Sequence, residues 1–252
     1  MPDDWLTTFR PFGAMHALVV AVCAGLMITA VVIGRRLRTT GTGERREKLM
    51  RLWIAAWMLA FQAGQQTYLL MPRHFDWAVS LPLHVCDLIA WTAPIALLTQ
   101  WRVLRTMLYF WGIGLSTQAF FTPILRVGPA EPHFWFFWLG HLHIVGAAVY
   151  DLAVLRYRPR WTDALVACAV SVGYLASAML ANHFLRDHFA NYGFVANLAP
   201  TNPTLIDRLG TWPLRVVWLS LIVVVGFHAI WAVWPIGRRL LSALQGSKAD
   251  AA

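Results

Sequence analysis

The most reactive side chains gather in two short stretches. "LPLHVCDLIAW", Leu81 to Trp91, carries His84, Cys86 and Asp87, and "GHLH" carries His141 and His143. A thiol, a carboxylate and imidazoles are the parts of a nucleophilic catalyst: a thiolate attacks, a base takes its proton, and a third group orients the base. His84 and Asp87 stand at i, i+3 and can pair, whereas His84 and Cys86 are about 200° apart around a helix. The base for Cys86 must therefore come from another helix. His141 or His143 can supply it, and because those two also face different sides, one of them at most is the direct partner. Further polar groups accompany them: Gln62 and Gln66 in "FQAGQQTY", on one helix face at i, i+4, with Gln118 in "STQAFFTP", Asn182, and Asn191 and Tyr192 in "NYGFV".

The surroundings of these groups define the medium in which they work. Of 252 residues 58% are hydrophobic and 13% charged, a composition outside the range of soluble domains and typical of a polytopic membrane protein. A helical crossing needs roughly 20 mainly apolar residues. Seven segments qualify, at about 13–34, 50–71, 81–100, 104–123, 133–155, 162–182 and 213–235. The expectation is a single all-α domain over residues 1–252, a multi-pass protein of the cell's inner, or plasma, membrane. Basic residues divide unevenly between alternate loops, fifteen on one side and six on the other. Since basic flanks are retained in the cytoplasm, seven spans put the N-terminus outside and the C-terminus inside.

The net charge of +9 sits mostly in those short cytoplasmic loops, where anionic lipid headgroups are the natural counterions. Membrane phospholipids are thus the expected partners and nucleic acid is not, while the oligomeric state is left open. "MPDDW" begins acidic and the apolar run that follows is longer than a signal-peptide core, so the first helix is expected to be retained. Cys23, Cys86 and Cys168 fall in three different predicted spans without a CxxC, so no disulfide framework is expected. No cofactor is expected. The absence of an internal repeat weakens a transporter reading.

Polar groups in hydrocarbon are costly enough that each is a functional candidate. Their depths agree. With the second and fourth spans running outward and the third and fifth inward, Gln62, Gln65, Gln66, Cys86, Ser116, Gln118 and His141 all fall in the outer half. At about 1.5 Å rise per residue, Cys86 lies about 8 Å and His141 about 12 Å below the starts of their spans. His16 and Asn182 share that half. Plainer roles exist too. Gln62, Gln65, Ser116 and Thr117 are residues that bridge helices by hydrogen bonds, Cys23 and Cys168 suit small packing positions, and Asp151 suits a helix-end ion pair near Arg156. The fourteen tryptophans suit interfacial belts.

"LPLHVCDLIAW", "STQAFFTP", "HFWFFWLGHLHIV", "NYGFV" and "LGTWPLRVVWL" together resemble the YwaF-type family of bacterial seven-helix integral membrane proteins, from about Gln62 to Trp234. That family is similar to an animal transmembrane acyltransferase family that remodels ether phospholipids, and more loosely to hydrolases of fatty-acid esters. The resemblance implies acyl transfer or lipid acyl hydrolysis, with Cys86 as nucleophile and His141 as base. It places Asn182, Asn191 and Tyr192 in the lining region. His84, Asp87 and His143 are then supporting groups, Gln62 and Gln66 substrate contacts, and Gln66, Gln118 and Asn182 the candidate oxyanion donors. Two other readings use the same residues: haem or metal ligation by His16, His84, His141 and His143, and a non-catalytic transporter or sensor of a small polar ligand.

Overall fold

The computed structural model describes residues 5–39, 43–196 and 205–249; the "LAPTNP" joint and the acidic start at Asp3 and Asp4 lie outside them. The described chain is helical, with no strand beyond a single bridge between Thr8 and Val127. Its elements are α1 (Ala14–Arg38), α2 (Gly43–Leu70), α3 (Val85–Thr99), α4 (Arg102–Met107) running into a π-helical stretch (Leu108–Ser116), α5 (Gln118–Phe121), α6 (Pro132–Ala153), α7 (Trp161–Phe184) and α8 (Leu214–Ala249). Four of these, α1, α6, α7 and the Leu214–Arg239 part of α8, are long and apolar enough to cross a membrane. This is a membrane protein with several apolar helices.

The other three expected spans depart from uniform rods. α2 is long, but its first turns hold Glu44, Arg45, Arg46, Glu47, Lys48 and Arg51, so much of the expected connecting loop is helix. α3 begins only at Val85, because Leu81–His84 form an extended entry and His84 is the N-cap. The fourth segment changes winding at Leu108, and the hydroxyl of Thr117 donates to the Gly112 carbonyl five residues back, in keeping with π geometry.

α3 is the centre of the bundle. It packs on α2, on α6 and on the π stretch, while α1 covers α2 and α6, and α7 lies between α4 and α8. Small residues make the close approach possible: Ala93 and Ala96 of α3 and Ala147 and Ala148 of α6 are buried, and a Cβ on Gly112 would stand 3.3 Å from that of Ala148. In lipid, where apolar side chains gain little by leaving the solvent, such close van der Waals packing and interhelical hydrogen bonds hold helices together. α6 is the least apolar of these four helices and the most enclosed, whereas few of the described residues of α1 and α8 are buried.

Candidate active site

Two antiparallel registers set the depth of the candidate residues. On α2, Arg51 donates to the Leu97 carbonyl at one end of α3, and Gln66 donates to the Ser80 carbonyl at 2.8 Å near the other. Moving eleven residues up from Arg51 reaches Gln62, and eleven back from Leu97 reaches Cys86, so these two are level. Between α2 and α6, the Tyr150 hydroxyl donates to Glu47 at 2.9 Å and the Tyr68 ring meets His133 at 6.1 Å. Between those ties, the Gln65 side chain faces Gly140, beside His141. Gln62, Cys86 and His141 occupy one layer.

Within that layer the partly buried Cys86 has its Sγ 3.7 Å from the Ser116 hydroxyl, at the end of the π stretch. Asp87 accepts the backbone N–H of His84 at 3.1 Å and so caps α3, replacing a partner that neither lipid nor the preceding turn provides. Its carboxyl also lies within electrostatic range of the His141 ring. His141 Nδ1 is 2.7 Å from the Phe137 carbonyl. A carbonyl only accepts, so Nδ1 carries the proton and Nε2 is left with a free lone pair. His143 turns elsewhere: its Nε2 accepts from Trp57 Nε1 at 3.1 Å and its ring packs on Phe61 at 5.0 Å, both on α2. Of the two histidines, His141 is thus the one near the α3 carboxylate.

The remaining candidates divide by what already occupies their polar atoms. Gln62 is only 3% exposed, and its Nε2 has no hydrogen-bond partner among the described residues. Gln66 is engaged with Ser80, and Gln118 is exposed. Asn182 forms a two-way clamp with the backbone of Tyr192, at 2.9 and 2.8 Å, and Asn191 accepts the Ala196 N–H at 3.0 Å. The Tyr192 hydroxyl donates to the Trp77 carbonyl at 2.8 Å and accepts from Leu81 N–H at 3.2 Å. Burial pushes this phenol up to about 12, so it stays protonated at neutral pH. Asn182, Asn191 and Tyr192 therefore tie together the loops at the N-terminal end of α3, and the Tyr192 and Phe194 rings roof His84 at 5.1 and 5.6 Å.

His16 is fully engaged, accepting from Phe12 N–H and donating to the Phe120 carbonyl, each at 3.0 Å. Among the described residues no three His, Cys, Asp or Glu side chains converge as metal ligands would. Asp151 does form an ion pair at the helix end, but with Arg105 at 2.9 Å rather than with the adjacent Arg156, because α4 packs closely enough to present that guanidinium.

Beside the layer an apolar groove of about 330 Å³ runs between α3 and α7, lined by Leu83, Leu88, Trp111, Val170, Tyr174 and Ala178 among others. Tyr174 donates to the Leu83 carbonyl at 3.0 Å and lies within electrostatic range of Cys86; Trp111 is held by Ser171 at 2.9 Å. Neither aromatic stood out in the sequence. A hydroxyl in the middle of "SVGYLAS" was the available signal. Ser116, which suited simple helix bridging, turns out to be the nearest polar neighbour of the thiol.

Residues 11–231 match the TMEM164 family. The chain belongs to the TMEM164 family. No curated protein and no solved structure matches it. As a TMEM164-family membrane protein it is in contact with lipid, and the thiol layer is accordingly considered with lipid as the neighbouring medium.

Proposed function

We propose that this protein is a seven-span acyltransferase, or lipid acyl hydrolase, acting on phospholipid acyl chains in the outer leaflet of the plasma membrane, with its N-terminus outside and its C-terminus inside. The observation that supports the reading is a Cys86 thiol 3.7 Å from the Ser116 hydroxyl and next to Asp87, whose carboxyl is in electrostatic range of His141, at the depth of the unpartnered Gln62 amide nitrogen and beside an apolar groove. The motif resemblance to lipid acyltransferases points the same way.

In this reaction His141 Nε2 takes the Cys86 proton as sulfur attacks the ester carbonyl carbon. The carbon–oxygen bond breaks, the leaving lipid alkoxide takes the proton from His141, and the acyl group remains as a thioester. An acceptor hydroxyl then gives its proton to His141 while attacking the thioester, and the expelled thiolate recovers that proton. Water in place of the acceptor makes the reaction a hydrolysis. Asp87 stabilises the transient imidazolium, and the groove between α3 and α7 holds the acyl chain. Among the amides, Gln62 replaces Gln66 and Asn182 as the oxyanion donor of choice, because its Nε2 has no other partner and a donor already engaged would have to give up a bond. His143 and Gln118 stand outside the chemistry.

The test is lipid mass spectrometry of cells with and without the protein, alongside purified protein given a labelled phospholipid and a lysolipid acceptor. Label should move to the acceptor, or to free fatty acid, in the wild type but not in Cys86→Ala or His141→Ala. Unchanged acyl profiles in all strains would remove the enzymatic reading. Undiminished lipid binding without turnover in any form would favour a carrier or sensor.

A further inference from the structure

A second cavity, of about 920 Å³, lies at the opposite end of α3. Cys86 and Thr99, three residues before Arg102, are thirteen positions apart on α3, so the two sites stand roughly 20 Å apart along the helix. Six arginines line it: Arg102, Arg105, Arg156, Arg158, Arg160 and Arg238. Two are neutralised, Arg102 by Asp163 at 3.0 Å and Arg105 by Asp151 at 2.9 Å. Both guanidinium groups also stack on the Tyr157 ring, at 5.6 and 4.9 Å, and the Tyr157 hydroxyl is bonded to Thr106 and Asp163. These contacts make a rigid floor.

The other four have no carboxylate partner among the described residues. Arg158 is held over the Trp234 ring at 4.6 Å and donates to the Leu152 and Tyr157 carbonyls, which fixes its position without cancelling its charge. Arg156, Arg160 and Arg238 are exposed. A solvated basic face would spread such charges apart to lower their repulsion. Here the chain gathers them around one concavity, at the positive N-terminal end of α7, with Trp161 of α7 and Trp231 and Trp234 of α8 as an apolar wall.

We infer that this cavity binds a phosphate group carrying at least two negative charges, the head of an anionic phospholipid being the source that fits both the arginines and the tryptophan wall. The inference does not depend on the reaction proposed for Cys86. It is tested on the full chain in phosphatidylcholine nanodiscs by titrating phosphatidic acid and, in a separate arm, inorganic phosphate, with bound copies counted by native mass spectrometry. Saturable binding of phosphatidic acid is expected, weakened about a hundred-fold in the triple variant Arg156→Gln, Arg160→Gln, Arg238→Gln. The triple variant Arg45→Gln, Arg46→Gln, Lys48→Gln removes the same charge from the exposed start of α2 and should change affinity less than about three-fold.

If inorganic phosphate displaces the lipid, the head alone is recognised; if it does not, the tail contributes. Both results support the site. Equal weakening in the two triple variants, or binding that never saturates, overturns it. Matching melting temperatures of the three proteins exclude misfolding as the cause, and labelled acyl transfer measured on the same samples separates failure here from failure of the catalytic proposal.

Discussion

The two ends of α3 treat polar groups in opposite ways. At the arginine end every buried carboxylate meets a cation: Glu47 with Arg51 at 3.0 Å, Asp151 with Arg105 and Asp163 with Arg102. At the thiol end, among the described residues, Cys86, Asp87, His141 and Gln62 form no ion pair with a residue outside their group, and the Gln62 Nε2 lacks a hydrogen-bond partner. In a low-dielectric medium a completed ion pair fixes helix positions, while an incomplete polar layer is maintained at a cost in stability. The contrast teaches that the first end holds the bundle together, whereas the second keeps polar groups whose partners the bundle does not complete.

The largest effect should separate the ends outright. Cys86→Ala is expected to lower acyl transfer by about 10⁴-fold or more, with an unchanged melting temperature, because the thiol makes one weak contact and, in the proposed reaction, carries the covalent step. At the other end Asp151→Asn should lower unfolding stability by about 3–5 kcal/mol by leaving Arg105 enclosed and unpaired, and leave turnover per folded molecule nearly unchanged. A chemical denaturation curve and a single-turnover assay on both variants would break the contrast if the two losses fell on the same property.

Gln62→Leu sharpens it. If the free amide serves the oxyanion, turnover falls about 10²-fold with KM little altered, while stability holds or rises because an unpaired buried donor is removed. A parallel fall in stability and activity would instead make Gln62 a packing residue. Tyr174→Phe should have the smallest effect, a loss of about 1 kcal/mol from the hydrogen bond to Leu83, read as a shift of a few degrees in melting temperature, with acyl-chain length preference unchanged because the ring that lines the groove is kept.

Much of the bundle was legible because hydrocarbon imposes its demands directly on composition. A run such as Ala14–Arg38 or Leu214–Arg239 is recognised without knowing its neighbours. Where neighbours supply the polar partners, the linear pattern misleads. Arg51, a basic residue at the very start of the expected second span, is buried within α2 because Glu47 and the Leu97 carbonyl receive it. Asp151 was paired with the nearest arginine in sequence, but α4 brings Arg105 closer.

The candidate site shows the same division. The depth of Cys86, His141 and Gln62 followed from span positions, since rise per residue is a local property. Which face each side chain turned was decided by packing. The α2–α6 contact drew His143 to Trp57, the π stretch brought Ser116 to the sulfur, and the loop clamp consumed Asn182.

By itself the sequence determined the solvent, the approximate helical segments and the layer in which reactive groups collect, because hydropathy and helical rise depend only on residue type and order. The tertiary structure alone decided which of those groups have partners. Hydrogen-bond satisfaction is a relation between helices distant in the chain, and it is that relation, rather than the presence of a cysteine or a histidine, that distinguishes the thiol layer from the ion-paired end.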